Sequence, residues 1–159
     1  MKFLIAIILI SFSAVTFACK CIPGDMDKWF SDSIEVIYIK VVGTSLEADP
    51  ERDGDRVKIQ YEVTDRFKGK VADSGFAYEG LHNCSLGVKA GAKYIFYIRD
   101  HRIISRCGGS QMIYDWTDKG KQILEQLRAK SLNKSKHADL VKLSPFLFQK
   151  SRQLNQSSV

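Results

Sequence analysis

The placement of four cysteines constrains this chain more than any other feature of its sequence. Cys19 and Cys21 stand one residue apart near the N-terminal end, whereas Cys84 and Cys107 are far downstream. A bond between Cys19 and Cys21 would close a strained small ring, so we expect two long-range disulfides. In an extended segment the two side chains point to the same side, and either long-range pairing ties this end onto the rest of the fold.

The first 18 residues predict that these cysteines reach an oxidising compartment. They read MKFLIAIILISFSAVTFA, with one lysine, an apolar run over residues 3–10 and small residues before the end. This pattern is typical of a secretory signal peptide cleaved before Cys19. It is too short for a membrane span, which needs about 20 apolar residues. We therefore expect a secreted, extracellular or periplasmic protein in which disulfides form.

The charge balance argues against nucleic acid as a partner. The chain has 24 basic and 18 acidic residues, and loss of Lys2 with the signal peptide leaves 23 against 18, a net charge of about +5. An exported protein meets little nucleic acid, and the positive charges are spread out apart from a Lys/Arg-rich stretch after Lys119. We expect a monomer with no nucleic-acid partner and no membrane span.

Hydrophobic patterning predicts a mainly β domain over residues 19–130. Residues 57–64 alternate between apolar and polar, as in a strand with one buried face. Residues 34–42 are β-branched and almost continuously apolar, which predicts a central strand. The acidic stretch 47–55 predicts a hairpin loop. Further strands are predicted at residues 74–78, 92–98 and 102–106. Five short strands without helix-sized crossovers favour a small closed or sandwiched antiparallel sheet.

Two helical patterns flank the strands. The first has apolar residues at helical spacing, Met26, Trp29 and Phe30. The second follows Thr117, which can cap it, and carries an apolar stripe that we expect to pack on the sheet, formed by Ile123, Leu124 and Leu127. Residues 131–159 predict a poorly ordered polar tail. We expect Trp29, Trp116 and the phenylalanines to lie mainly in the core.

No catalytic motif accompanies this framework. A redox Cys-X-Cys pair usually opens a helix in a thioredoxin-like context, which the sequence lacks. His82, His101 and His137 are far apart and do not have metal-ligand spacing. The sequence also has no glycine-rich phosphate loop and no serine nucleophile elbow. We therefore expect neither an enzyme nor a cofactor.

The N-terminal pair and the segments that follow it resemble a known family. Cys19-Lys20-Cys21-Ile22-Pro23 has the form Cys-X-Cys-hydrophobic-Pro and resembles the mature N-terminus of the tissue inhibitors of metalloproteinases. The resemblance continues in order to about residue 110. It includes residues 29–33 before the first strand, 37–44, 61–69, the Gly-X-X-Tyr at 91–94, and the two downstream cysteines.

This resemblance implies a fold and a mechanism. The fold would be a five-stranded, OB-fold-like barrel of the netrin-like type, with disulfides Cys19–Cys84 and Cys21–Cys107. The α-amine and carbonyl oxygen of Cys19 would chelate the catalytic zinc of a secreted zinc metallopeptidase, and Lys20 would enter its specificity pocket. The zinc belongs to the partner. The implied inhibitory edge comprises Cys19, Lys20, Cys21, Ile22, Pro23, Leu81, His82, Asn83, Cys84 and Ser85.

The sequence departs from the animal members of that family. Lys20 stands where they usually have Thr or Ser, and a long cation suits a polar or acidic pocket better than a deep apolar one. Matrix metalloproteinases are therefore poor candidates as targets. The cysteine-rich C-terminal subdomain and a third barrel disulfide are missing. These departures indicate a minimal member, with a bacterial source as one option.

Two other interpretations stay open on the sequence alone. The bridged terminus can belong to a secreted or cell-surface netrin-like module with a structural or oligosaccharide-binding role and no inhibition. Aromatic residues clustered on an exposed sheet face would favour sugar binding. Anchoring as a lipoprotein through Cys19 is disfavoured, because residues 16–18 lack the aliphatic residue of a lipobox. Lipidation would consume the Cys19 thiol and usually acylate its amine.

Overall fold

A computed structural model describes residues 21, 24–51 and 54–133 of the 159-residue chain. The elements follow in the order α1 (Met26–Asp32), β1 (Glu35–Ala48), β2 (Asp55–Lys68), β3 (Ser74–Gly80), β4 (Lys93–Ile98), β5 (Gln111–Met112) and α2 (118–133). Two 3₁₀ turns, Asp100–Arg102 and Arg106–Gly108, lie between β4 and β5. The predicted signal peptide, and residues 134–159 of the predicted tail, lie outside the described residues.

One antiparallel sheet contains all five strands in the order β3-β2-β1-β4-β5. Strands β1 and β2 form a long hairpin that extends from Val36 opposite Lys68 to Ala48 opposite Asp55. The described strands do not close into a continuous barrel. At the outer edge of β3 there is one isolated parallel bridge, between Tyr78 and Ile103. The prediction of a mainly β fold with two helices is confirmed, whereas the OB-fold-like barrel is not.

The central strand is buried on both faces, as its continuous apolar pattern predicts. Residues 36–39 of β1 are all buried, and they alternate between two hydrophobic clusters. The first cluster contains Ile37, Ile39, Ile59, Tyr61 and Phe96, together with other strand residues. The second cluster lies on the opposite face of the sheet and is covered by the two helices. It includes Phe30 of α1 and Leu124 and Leu127 of α2.

Side-chain caps fix where both helices begin. The Asp25 carboxylate accepts a hydrogen bond from the Lys28 amide at 2.8 Å, at the start of α1. Thr117 Oγ1 accepts one from the Gly120 amide at 3.1 Å, at the start of α2. The predicted cap and the apolar stripe of α2 are therefore confirmed. The helix continues to residue 133, beyond the predicted domain boundary at 130.

The predicted strand at residues 102–106 is wrong. His101 and Arg102 adopt left-handed backbone conformations, with φ of 58° and 57°, which interrupt an extended chain. Ser105 Oγ then accepts a hydrogen bond from the Gly108 amide at 3.0 Å and stabilises the turn Arg106–Gly108. Buried Ile104 contributes to the core from this irregular segment. The fifth strand is instead Gln111–Met112, which pairs with β4.

The two tryptophans lie in different environments. Trp29 packs against the second cluster, with its ring 6.1 Å from that of Tyr97. Trp116 is 69% exposed, so the prediction that it lies in the core is wrong. It stands in the turn before α2, where its ring contacts that of exposed Tyr114 at 5.0 Å. Neither α1 nor the described part of α2 is long and apolar enough to cross a membrane.

Candidate functional site

A disulfide attaches the start of the described chain to the turn before β5. Cys21 is bonded to Cys107, with the Cα atoms 5.0 Å apart and a separation of 86 positions in the sequence. This is the pairing that the family resemblance implies for Cys21. Since Cys107 belongs to the turn stabilised by Ser105, the bond connects residue 21 to a segment of defined geometry.

Trp29 of α1 also packs on that turn. A Cβ atom built on Gly109 would lie 2.5 Å from the Trp29 ring, and one built on Gly24 would lie 2.5 Å from the same indole. Both glycines therefore allow close approach of the Trp29 side chain. Gly109 has a φ of +91°, which an L side chain rarely adopts. The indole and the disulfide thus connect α1 and residue 21 to the same turn.

The loop that contains Cys84 lies beside the same turn. The Arg106 amide donates a hydrogen bond to the Cys84 carbonyl oxygen at 3.3 Å, which places the residue before Cys107 next to Cys84. Cys84 is itself disulfide-bonded. Its implied partner, Cys19, lies outside the described residues, so that pairing stays a prediction. The same holds for Lys20, Ile22 and Pro23, the other implied edge residues of the N-terminal segment.

Residues 81–85 form an internally hydrogen-bonded turn, in which residues 81–83 are exposed and residues 84–85 are half-buried. His82 Nδ1 accepts a hydrogen bond from the Cys84 amide at 3.1 Å, and the His82 carbonyl oxygen accepts one from the Ser85 amide at 2.9 Å. A Cβ atom on Gly80 would lie 2.8 Å from the His82 ring, so glycine lets the imidazole fold back on the strand end. Leu81 is 59% exposed and Asn83 is also exposed. An exposed leucine beside a fixed turn can contact a partner.

A buried carboxylate that the sequence analysis missed holds the following segment. Glu79 of β3 is 2% exposed. Its Oε1 accepts hydrogen bonds from the amides of Leu86 and, at 3.2 Å, Gly87, and its Oε2 accepts one from Val88 at 3.3 Å. Gly87 has a φ of +64°, so consecutive amides form an anion-binding nest around the carboxylate. Glu79 thus connects the strand to the loop that carries Cys84.

Tyr94 of β4 anchors the end of this loop. Its hydroxyl oxygen accepts a hydrogen bond from the Lys89 amide at 3.0 Å. Burial raises the pKa of the Tyr94 hydroxyl, an effect that the Lys89 amide opposes. The hydroxyl therefore stays protonated across the physiological range. Glu79 and Tyr94 together fix both the middle and the end of residues 86–89.

The described part of the implied inhibitory edge is held by a disulfide and by backbone hydrogen bonds. It brings together Cys21, Cys107 and the loop formed by Leu81, His82, Asn83, Cys84 and Ser85. Within residues 21, 24–51 and 54–133, no group of three or more His, Cys, Asp or Glu side chains is placed to hold a metal ion. This part of the edge contains a hydrogen-bonded backbone turn, one exposed apolar side chain and a half-buried disulfide.

Comparisons with known proteins do not assign the chain to a family. No protein-family model matches the sequence, and no curated protein matches it.

Proposed function

We propose that the protein is a secreted inhibitor of zinc metallopeptidases, a minimal relative of the tissue inhibitors of metalloproteinases with a netrin-like, OB-type barrel. One observation carries the proposal. The Cys21–Cys107 disulfide fixes residue 21 beside the loop that contains disulfide-bonded Cys84. A chain terminus is normally frayed, and a terminus fixed to a structured turn suits a role in which its position matters.

The proposed mechanism uses the free amine that signal-peptide cleavage would leave on Cys19. An α-amine has a pKa of about 7.7–8.0, so its neutral form is accessible near neutral pH and can bind zinc. The amine and the carbonyl oxygen of Cys19 would form a five-membered chelate in the open position of the partner's zinc. Because Cys21, two residues further along, is already fixed by its disulfide, little conformational entropy remains to be lost on binding.

The second residue of the mature chain, Lys20, would define the class of target. A cation entering the specificity pocket favours a peptidase whose pocket is acidic or opens to water. Exposed Leu81 would contact the enzyme surface beside that pocket. We therefore propose a secreted endopeptidase with a polar or acidic pocket as the partner, and extracellular or periplasmic space as the location.

The barrel is also part of this proposal. Five antiparallel strands with β1 at the centre, and the bridge between Tyr78 and Ile103 at the β3 edge, support a sheet that curls toward closure. The alternative is a netrin-like module that inhibits nothing. The exposed ring of Phe76, paired with Tyr78 on one sheet face, favours an oligosaccharide-binding form of that alternative.

A one-residue extension tests the chelate directly. An alanine added before Cys19 would displace the amine by about 3.5 Å and replace it with an amide nitrogen, which is a poor zinc ligand. Wild-type, extended and Lys20→Thr proteins would be assayed against a panel of secreted zinc endopeptidases. We expect the extended protein to retain its melting temperature and lose inhibition, and Lys20→Thr to change which peptidases are inhibited.

Two results would count against the proposal. Equal inhibition by the extended and wild-type proteins would exclude the chelate. If neither wild type nor Lys20→Thr inhibited any peptidase of the panel, the netrin-like module without inhibition would become the better account.

A further inference from the structure

The solvent face of β1–β3 carries a groove that the proposed inhibition does not use. Cross-strand register places Gly43, Gln60 and Phe76 in one row across the three strands, and Lys40, Glu62 and Ser74 in the neighbouring row. The groove has a volume of about 450 Å³ and is lined by residues that include Val42, Gln60, Glu62, Ser74 and Phe76. We call it the Phe76 groove.

Two apolar side chains form the walls of the Phe76 groove. Val42 is the extra residue of a β-bulge between Val41 and Gly43, and it is 55% exposed. Phe76 is 40% exposed, on the strand at the other side of β2. The strands β1 and β3 are two sheet spacings apart, about 10 Å, which is wide enough for a ring. Gly43 has no side chain, and a Cβ atom there would meet only Gln60, at 3.7 Å.

The floor of the groove offers hydrogen-bonding groups that are available to a ligand. The side chains of Gln60, Glu62 and Ser74 are exposed and have no side-chain hydrogen bond or ion pair within the described chain. Together they provide an amide, a carboxylate and a hydroxyl, which can both donate and accept hydrogen bonds. Lys58 lies 5.1 Å from the Phe76 ring and is paired with Glu47 at 3.7 Å. It shares Glu47 with Arg56, which lies closer, at 2.6 Å.

We propose that the Phe76 groove binds a pyranose ring of a neutral oligosaccharide. The C–H face of a pyranose packs on an aromatic ring, and its hydroxyls match amide, carboxylate and hydroxyl partners. A polyanion is disfavoured, because the Glu62 carboxylate lies in the groove and has no ion-pair partner in the described part of the chain. A purely apolar partner is disfavoured, because it would cover three polar side chains without satisfying them. This site is separate from the Cys84 loop and does not depend on zinc chelation.

Amide chemical shifts of the isotope-labelled mature protein test the site. The probes are cellohexaose, chitohexaose, maltohexaose and, as the anionic comparison, a heparin hexasaccharide. We expect at least one neutral probe to shift the amides of residues 58–62 and 74–76. Phe76→Ala and Gln60→Ala should each weaken its binding by about tenfold or more, equivalent to about 1.4 kcal/mol. Leu46→Ala is the matched control, because Leu46 is 65% exposed on the opposite face of β1.

Several outcomes would overturn the assignment. One is that no neutral probe at millimolar concentration shifts the amides of the groove residues. Another is that only the heparin hexasaccharide binds, and that its binding is sensitive to salt. Shifts confined to Tyr114 and Trp116 would place the sugar-binding surface elsewhere on the protein. Groove shifts that depend on protein concentration and not on the sugar would assign the groove to a second copy of the chain. Equal effects of Phe76→Ala and Leu46→Ala would show that the ring does not contact the sugar.

Discussion

Replacing Glu79 by glutamine tests how the loop after β3 is held in place. The carboxylate is 2% exposed and accepts backbone hydrogen bonds from Leu86, Gly87 and Val88. Glutamine keeps the size of the side chain and one carbonyl oxygen. Its amide group, however, can only donate, so at least one backbone amide of the nest would face another donor. The substitution therefore changes hydrogen bonding with almost no change in volume.

Two effects of opposite sign determine how much Glu79→Gln changes the free energy of unfolding. A hydrogen bond to a charged acceptor contributes about 1.5–3 kcal/mol. Against this, a buried carboxylate carries a desolvation cost of several kcal/mol, which a neutral amide avoids. The unfolded chain relieves that cost fully, whereas an opened loop relieves it only in part. We therefore expect Glu79→Gln to lower the global free energy of unfolding by about 1–2 kcal/mol, and the free energy of loop opening by about 2–3 kcal/mol.

Hydrogen exchange of individual amides separates these two quantities. A loss of about 2–3 kcal/mol in opening free energy should lower the protection of the amides of residues 86–88 by about 30- to 150-fold. The amides of Tyr94–Ile98 in the core of the sheet should lose less. Glu62→Gln is the matched control, because Glu62 is exposed on β2 and makes no side-chain hydrogen bond within the described chain.

Unchanged protection at residues 86–88 would refute the reasoning, because the three hydrogen bonds would then contribute nothing to the loop. Equal loss of protection in the loop and in β4 would also refute it, since Glu79 would then stabilise the fold as a whole. Inhibition, if it is present, gives an independent measurement. Weaker inhibition by Glu79→Gln at unchanged protection of β4 would connect the loop geometry to binding.

Three further predictions follow from single contacts. Cys107→Ser should lower the free energy of unfolding by about 2–5 kcal/mol, because the Cys21 bond closes a long loop; an unchanged melting temperature would contradict this. Gly109→Ala should cost about 2–4 kcal/mol, whereas Gly91→Ala should cost about 1 kcal/mol. Both glycines have positive φ, but only at Gly109 would the new Cβ atom meet the Trp29 ring. Chemical denaturation of the two variants should show this difference in the free energy of unfolding. Burial raises the pKa of Tyr97 to about 12. The unfolded chain, with a pKa of about 10, loses its proton first, so stability should fall between about pH 10 and 12. Tyr97→Phe should reduce that slope by about 1.4 kcal/mol per pH unit, and equal slopes in both proteins would exclude this origin.

Much of the fold could be predicted because local patterns and tertiary packing agree. The strict alternation at residues 57–64 matches a β2 whose Ile59 and Tyr61 are buried and whose Gln60 and Glu62 are exposed. The continuous apolar run in β1 matches coverage of both sheet faces. Thr117 caps α2 through a bond between residues three apart. In each case the deciding interactions are close in sequence or repeat with the period of the element.

The remaining features depend on contacts that no local pattern contains. The segment Arg102–Arg106 has the composition of a strand, but its backbone follows a turn that is joined to the distant residue Cys21. Glu79 occupies an inward position of β3, where an apolar residue is expected. Its charge is accommodated only because the chain returns three amides to it. A glutamate at an inward strand position followed eight residues later by a glycine, here Gly87, is the signal that could have indicated such a nest.

The two anchors of the candidate edge hold different segments of the chain, and one hydrogen bond joins these segments. The Cys21–Cys107 disulfide fixes the N-terminal side, and the Glu79 nest fixes the loop on the Cys84 side. The hydrogen bond from the Arg106 amide to the Cys84 carbonyl oxygen joins these two sides. The entropy of ordering this edge is therefore lost during folding and, under the proposed function, need not be lost again on binding. Under the proposed function, a rigid surface made of two separate segments requires that each segment be held, and Cys107 and Glu79 provide one anchor for each.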